Sequence, residues 1–162
     1  MVTDFEKALA VLSGNQVEFI VIGGVAGALH GSAFVTQDLD VVYGRARENI
    51  RRLANALDAH QPYLRGAPEG LPFKWDERMI RSGLNFTLTT SFGDIDLLGE
   101  VVGGGKFEDL LPHTREIVGF GSRFRLVNLD KLILLKRAAG RIKDLAVIAE
   151  LQQIAERQKS QA

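Results

Sequence analysis

The segment IGGVAGALHGSAFVTQDLDVVY, residues 22–43, decides how the chain folds. It joins two short apolar runs, residues 17–22 and 39–43, which are rich in β-branched and aromatic residues, as buried strands are. Between these runs, glycines bracket a short apolar stretch that predicts a helix. A strand, a glycine turn, a helix and a second strand therefore form the centre of the predicted fold.

Apolar periodicity on either side of this segment predicts further helices and strands. Helices are predicted over residues 3–12, 47–59 and 128–154, the last one interrupted at Gly140. Strands are predicted over residues 84–90, 95–98, 116–118 and 123–127, and residues 102–106 are predicted to form a flexible loop. This order favours an α+β (α/β-like) fold, a mixed sheet flanked by helices with a C-terminal helical segment. We expect a single domain over residues 1–162, with a core at about 17–127 and C-terminal helices at about 128–157.

The composition disfavours several classes of protein. The 162 residues include 20 Lys and Arg and 20 Asp and Glu, so the formal net charge is zero. This balance disfavours binding of nucleic acid through a large positive field, although a local basic patch is compatible with it. Cysteine is absent, which excludes disulfides and thiolate metal sites. No apolar run approaches the ~20 residues that span a bilayer, and we therefore expect a soluble cytoplasmic protein with no membrane contact.

The glycine pair Gly23-Gly24 follows the first predicted strand directly and precedes a helix. Glycines at such a junction let a phosphate group approach the backbone and the start of the helix. They also suit a tight turn in which Cβ atoms would clash. The Gly-x-Gly-x-x-Gly spacing of a dinucleotide-binding motif is absent. By itself the pair leaves a phosphate site and a plain turn both open.

Three aspartates are candidates for a shared site. Asp38 and Asp40 lie two residues apart at the start of a predicted strand, so both side chains project from the same face. Two like charges this close repel each other unless a cation lies between them, although a solvated pair at a loop–strand junction is the alternative. Asp96 lies between apolar residues of a later strand, where an aspartate without a partner is costly. Asp94 is nearer the preceding turn and is predicted to be a turn residue.

The glycine turn and the three carboxylates together indicate more than each does alone. Oxygen ligands of this kind suit divalent metal ions, which could bridge a triphosphate and an attacking hydroxyl group. The combination therefore predicts a metal site beside a turn that can admit phosphate.

These residues resemble the nucleotidyltransferase fold of the polymerase-beta superfamily, which combines a Gly-Gly or Gly-Ser turn, an Asp-x-Asp pair and a later carboxylate. More closely, the chain resembles the small bacterial nucleotidyltransferases related to the abortive-infection type IV toxins. The motifs that carry the resemblance are Gly23-Gly24 to His30-Gly31, Thr36 to Asp40, and Lys136-x-x-x-Gly-Arg-x-Lys-Asp ending at Asp144. The resemblance covers residues 17–151.

The resemblance implies an enzyme that transfers a nucleoside monophosphate from a nucleoside triphosphate to an acceptor hydroxyl. It implies two Mg²⁺ (or Mn²⁺) ions, held by catalytic carboxylates at Asp38, Asp40 and Asp96. It implies nucleotide contacts from Gly23, Gly24, Thr36, Lys136 and Lys143. The alternative interpretation of the two lysines is that they are solvated charges extending from the edge of a core helix. The alternative for Thr36 is that it caps the turn before Asp38. An unbroken helix would place both lysines on one face.

The acceptor and the activity remain open at this point. RNA (tRNA in the toxin relatives), a protein side chain and a small molecule are all compatible with the resemblance. Two departures from the pattern of these relatives, Phe34 in place of an arginine and Val147 in place of a second aspartate, put substrate choice or turnover in doubt. They favour the alternative of a catalytically weak nucleotide-binding or partner-binding module in a toxin–antitoxin-like system, with a cognate antitoxin as its partner.

Overall fold

The computed structural model describes residues 2–162, which form helices on a twisted mixed sheet. The helices are α1 (Phe5–Gly14), α2 (Gly23–Leu29), α3 (Arg47–Asp58), α4 (Glu77–Ser82), α5 (Phe107–Leu110), α6 (Leu129–Ala139) and α7 (Leu145–Ser160). The strands are β1 (Phe19–Ile22), β2 (Asp38–Tyr43), β3 (Tyr63–Leu64), β4 (Asn85–Thr90), β5 (Gly93–Leu98), β6 (Glu100–Val101), β7 (Gly105–Lys106), β8 (Thr114–Gly119) and β9 (Ser122–Val127). Short 3₁₀ turns cover Leu111–His113 and Ile142–Asp144.

Seven strands form the main sheet in the order β3-β4-β5-β2-β1-β9-β8. The β2–β5 and β1–β9 pairs are parallel and the remaining pairs are antiparallel. The predicted mixed α+β architecture, with flanking helices and a C-terminal helical segment, is therefore confirmed. None of the helices within residues 2–162 combines the length and the apolar character that a membrane crossing needs.

Alternation along the central strands separates the core from the face that carries the polar residues. Leu39 and Val41 of β2 and Ile95 and Leu97 of β5 are fully buried. The residues between them project to the opposite face, because successive side chains of a strand alternate. The hydrophobic pattern therefore determines on which face the aspartates of β2 and β5 lie.

Local sequence signals explain where several elements begin. The Asp4 carboxylate accepts a hydrogen bond of 3.0 Å from the Lys7 backbone N–H, so α1 has the side-chain cap typical of an N-terminus. Helix α2 begins at Gly23 itself, directly after β1, rather than after the glycine pair. The predicted flexible loop over residues 102–106 is instead part of a small antiparallel hairpin, in which β6 pairs with β7.

The C-terminal helical segment is interrupted at Gly140, as predicted. The interruption divides it into two separate helices, α6 and α7. Gly140 ends α6 in the left-handed conformation, with φ of +65°, which glycine adopts without strain. A 3₁₀ turn then leads into α7. The expectation that Lys136 and Lys143 share one face of a continuous helix is wrong, because the chain changes direction between them.

Candidate functional site

Four aspartates form two adjacent pairs on one face of the sheet. The parallel register of β2 and β5 places Asp38 beside Asp94 and Asp40 beside Asp96. All four are half-buried, whereas the residue between the two β2 aspartates, Leu39, is fully buried in the core. The sheet therefore gathers four carboxylates over two neighbouring strands, facing away from the core.

Three of these carboxylates converge as predicted. Asp38, Asp40 and Asp96 each offer one oxygen atom, and the three atoms lie within 4.8 Å of one another. Oxygen ligands lie about 2.0–2.6 Å from a Mg²⁺ or Ca²⁺ ion, so oxygens that share an ion are at most about 5 Å apart. The observed spacing fits a shared divalent cation.

The electrostatics of the cluster also fit a cation. Burial, together with the neighbouring negative charges of Asp38 and Asp96, raises the pKa of Asp40 to about 8. Burial also raises the pKa of Asp96, against the opposing charge of Arg65. Asp40 Oδ1 is buried and has no hydrogen-bond partner among residues 2–162. A buried carboxylate oxygen without a donor is costly, and a metal ion is the kind of partner that would satisfy it.

The glycine turn lies directly against this cluster. Gly23 has φ of +67°, and a Cβ atom built on it would overlap Asp40 Oδ2. A Cβ atom on Gly24 would likewise overlap Thr36 Oγ1. The Thr36 hydroxyl donates a weak hydrogen bond of 3.3 Å to the Asp38 carbonyl oxygen. The turn therefore requires glycine at both positions for a close approach of the backbone, and Thr36 does cap the chain before Asp38.

A cationic cavity of about 380 Å³ opens on the α2 side of the carboxylates. Among the residues that line it are Gly24, Thr36, Asp40, Lys136, Arg141 and Lys143. Both predicted lysines thus line the same cavity as Asp38 and Asp40, although they come from α6 and from the turn after it. The cavity combines the carboxylates of β2 with three cationic side chains on a wall formed by α6 and the turn after it, where Asp144 also lies. We call it the cationic cavity after these three side chains.

Lys136 and Asp144 form a buried pair at the base of this wall. Lys136 Nζ lies 3.9 Å from Asp144 Oδ1, and each side chain is 8% exposed. Arg141 Nε donates a hydrogen bond of 2.7 Å to the other oxygen of the same carboxylate. Burial lowers the pKa of Lys136, and the Asp144 charge opposes this shift. Asp144 therefore holds Lys136 and Arg141 in place beside the carboxylate cluster. The sequence motif ends at Asp144, but it gives no indication of this role.

Arg65 is the site residue that sequence reasoning missed. Its guanidinium lies 3.7 Å from Asp38, 3.4 Å from Asp94 and 2.9 Å from Asp96. Its Nη2 atom also donates a hydrogen bond of 2.8 Å to the Leu88 carbonyl oxygen. Asp94, predicted to be a turn residue, therefore lies within β5 and takes part in this network. Arg65 follows the two-residue strand β3, whose pairing with β4 left no periodic signal in the sequence.

Three further residues that the sequence analysis named, His30, Phe34 and Val147, lie outside or at the edge of the site. The His30 ring is buried and its Nε2 atom lies 2.7 Å from the Val127 carbonyl oxygen, which indicates a packing role at the end of α2. Phe34, one of the two departures from the pattern of the relatives, lines the cationic cavity and is 48% exposed. Val147, the other departure, also lines it.

Comparison with known proteins supports the fold. No protein-family model matches the sequence, and no curated protein matches it. Among solved structures, a "putative nucleotidyltransferase" from Thermotoga maritima matches with a TM-score of 0.56 over 92% of this chain and 90% of that chain. The two sequences are 13% identical, so the likeness concerns the fold alone. The relationship to abortive-infection toxins stays a prediction. The structure thus combines a nucleotidyltransferase-like fold with a trio of converging carboxylates.

Proposed function

We propose that the protein is a Mg²⁺-dependent nucleotidyltransferase, which transfers a nucleoside monophosphate from a nucleoside triphosphate to an acceptor hydroxyl. The observation that carries this proposal is the convergence of Asp38, Asp40 and Asp96 within 4.8 Å beside a cationic cavity. Carboxylates suit the metal ions that accompany triphosphates, and cations suit the phosphates themselves. The fold shared with the Thermotoga maritima protein supports the same activity.

The three carboxylates would hold two Mg²⁺ or Mn²⁺ ions. Such ions, when bound, neutralise charge on the triphosphate and make its reacting phosphorus atom more open to attack. The unpartnered Asp40 Oδ1 and the raised pKa of Asp40 support this assignment. A bound cation would give the buried oxygen a partner and would offset the burial and the negative charges that raise the pKa.

The cationic cavity would bind the triphosphate. Gly23 and Gly24 let the Asp40 and Thr36 side chains pack directly against the backbone of the turn. Gly24 also lines the cavity, so phosphate oxygens would approach the turn at this residue. Lys136 and Lys143 supply charge from the opposite wall. Arg141 is a further phosphate ligand of the same wall, since its guanidinium is half-exposed although one nitrogen is bonded to Asp144.

In the reaction, the acceptor oxygen would attack the α-phosphorus while the bond to the bridging oxygen of the β-phosphate breaks. Pyrophosphate leaves, and the hydroxyl proton passes to a carboxylate. Asp96 is our candidate for that carboxylate, because β5 places it on the side of the cluster away from the cationic cavity. RNA such as tRNA, a protein side chain and a small molecule remain the proposed acceptor classes.

A nucleotide-binding module with little turnover is the second candidate, with an antitoxin-like protein as its partner. The exposed Phe34 in the cationic cavity favours it, since the relatives often carry an arginine there that could contact phosphate. Both candidates require nucleotide binding, and they differ in whether transfer follows.

A transfer assay separates the two candidates. The protein is incubated with each of the four α-³²P-labelled nucleoside triphosphates, Mg²⁺ and total RNA. Label is measured in RNA and in protein, and the unlabelled pyrophosphate that leaves is measured separately by an enzyme-coupled assay. We expect transfer by the wild type and by Asp94→Asn, and none by Asp96→Asn. Binding without transfer by the wild type would favour the module instead.

A further inference from the structure

A second cavity, of about 260 Å³, lies on the other side of Asp40 from the cationic cavity. Asp40, Lys136 and Arg141 line both cavities. The second cavity is lined mainly by apolar side chains, which include Ile22, Leu98, Val101, Val102, Leu132 and Leu135. Its character therefore differs sharply from that of its neighbour.

The change of character follows from the face of the sheet on which both cavities lie. Along β5 the outward residues are Asp94, Asp96 and then Leu98, so the row turns from acidic to apolar beyond the carboxylate cluster. Asn85 of β4 lies beside Leu98 in the antiparallel register. Val102 is 68% exposed although it is apolar. The structure therefore leaves apolar surface open to solvent next to the site.

We propose that this second cavity binds the nucleobase of the nucleoside triphosphate, an inference that rests on the proposed function. The reacting α-phosphate joins the polyphosphate to the nucleoside, and it must lie at the metal-binding carboxylates. The acceptor attacks in line with the leaving pyrophosphate, so the nucleoside, which is attached to the α-phosphate through a third oxygen, lies to the side of that line. If the β- and γ-phosphates enter the cationic cavity, the nucleoside can extend from the α-phosphate past Asp40. The apolar cavity is the space that the structure offers there, and a flat aromatic base gains most from apolar walls.

Polar groups at the edge of the second cavity could orient the base. The Asn85 side-chain oxygen accepts a hydrogen bond of 2.9 Å from the Gly99 backbone N–H, which leaves the amide nitrogen as a donor. The exposed carboxylate of Glu100 supplies acceptors at the same cavity. Every base carries both donors and acceptors on its edge, so the Asn85 amide and the Glu100 carboxylate can bind any base. Comparing the affinities of the four nucleoside triphosphates would measure how far these two residues discriminate among bases.

Phe34 offers a competing location for the base, because its half-exposed ring could stack on one in the cationic cavity. The second cavity is favoured because it has fewer cations, sharing Lys136 and Arg141 with the cationic cavity but not Lys143. Gly24, Thr36 and Lys143 line the cationic cavity together with Phe34, and all three are proposed phosphate-binding residues. Beyond the shared residues, the second cavity is lined mainly by apolar side chains, with Gly23 and the polar Asn85 and Glu100.

The test uses two probes, inorganic tripolyphosphate and a nucleoside triphosphate, each titrated calorimetrically with Mg²⁺. Ala139 lines the second cavity at the exposed end of α6, so Ala139→Phe would fill the cavity without disturbing the core. Leu134→Phe, which adds an aromatic ring at a half-exposed position of α6 outside both cavities, is the matched control.

We expect Ala139→Phe to weaken binding of the preferred nucleoside triphosphate about tenfold or more, the scale of one lost base contact. Tripolyphosphate binding and the control variant should be unchanged.

Three outcomes would overturn the inference. An unchanged nucleotide affinity in Ala139→Phe, or a selective loss in Phe34→Ala instead, would place the base elsewhere and leave the proposed function intact. An equal loss for tripolyphosphate and nucleotide would show that residue 139 acts on the phosphate site. If the wild type binds neither probe with Mg²⁺, the proposed function itself fails.

Discussion

A Cβ atom on Gly23 would overlap the Oδ2 atom of Asp40, so the first residue of α2 and the second carboxylate of β2 are in direct contact. The Asp40 Cβ atom would also lie only 2.9 Å from the added carbon. Neither group can move far, because Gly23 follows β1 directly and Asp40 is held in register beside Ile22. The conformation of the turn and the orientation of the metal-binding carboxylate are therefore coupled.

We predict that Gly23→Ala weakens Mg²⁺-dependent nucleotide binding about tenfold or more, because Asp40 must rotate away from the added methyl group. The positive φ of +67° adds backbone strain, which costs about 1 kcal/mol or more in folding stability. Gly70→Ala is the matched control, since Gly70 also has a positive φ, +87°, but no atom within 4 Å of its Cβ position. It should lose similar stability and keep the affinity. Equal affinities in the two variants would contradict the coupling.

A second prediction concerns the cationic wall. Lys136→Ala should weaken nucleotide binding about tenfold to a hundredfold, since a charge-assisted phosphate contact contributes roughly 1.5–3 kcal/mol. Arg137→Ala, which removes an exposed cation from the next position of α6, should have no effect. Because Lys136 also pairs with the buried Asp144, thermal unfolding of both variants must accompany the titrations. Equal and small effects on affinity would show that neither cation contacts the phosphates.

The convergence of the carboxylates could be predicted from the sequence, whereas the network around them could not. Alternation along a strand places Asp38 and Asp40 on one face, and the apolar neighbours of Asp96 indicated a costly charge on a later strand. Arg65 reaches the cluster only through pairing of a two-residue strand with β4, a non-local contact that periodicity does not encode. The left-handed Gly140 redirects the chain between Lys136 and Lys143, which helical spacing alone cannot anticipate.

Arg65 provides a third prediction, because it neutralises part of the charge that a metal ion would neutralise. Arg65→Gln should destabilise the metal-free protein, since the carboxylates of Asp38, Asp94 and Asp96 lose a nearby cation. The same variant should bind Mg²⁺ about tenfold more tightly, because one positive charge no longer opposes the ion. Arg81→Gln, at an exposed ion pair with Glu77, is the control and should change neither quantity. Weaker Mg²⁺ binding in Arg65→Gln would contradict this role.

The raised pKa of Asp40 gives a fourth prediction, for the metal-free protein. Its pKa is about 8 in the folded state, against an ordinary value of 3.8. Between these two values the folded state holds a proton that the unfolded state has lost. The stability that this proton contributes is fully present below pH 4 and is lost as the pH rises through 8. The free energy of unfolding should therefore fall by about 1.4 kcal/mol per pH unit in this window.

Urea unfolding in EDTA at pH 5, 6, 7 and 8 checks this dependence. Asp40→Asn should remove most of the slope and be more stable than the wild type at pH 8, because an uncharged amide replaces a forced charge. Mg²⁺ should restore wild-type stability at the higher pH values by binding the folded state. A wild-type profile that is flat, or that keeps its slope in Asp40→Asn, would show that Asp40 titrates normally.

The central claim, a metal-dependent nucleotide site at the three carboxylates, is tested most directly by calorimetric titration of Asp40→Asn with each nucleoside triphosphate. We predict that the wild type binds at least one of them with Mg²⁺ and loses that binding in EDTA. Asp40→Asn should remain folded and show no Mg²⁺-dependent binding, whereas Asp94→Asn, in the same row of β5 as Asp96 but outside the converging trio, should bind as the wild type does. Wild-type affinity in Asp40→Asn, or unfolding of that variant, would contradict the claim and leave Asp40 with a structural role.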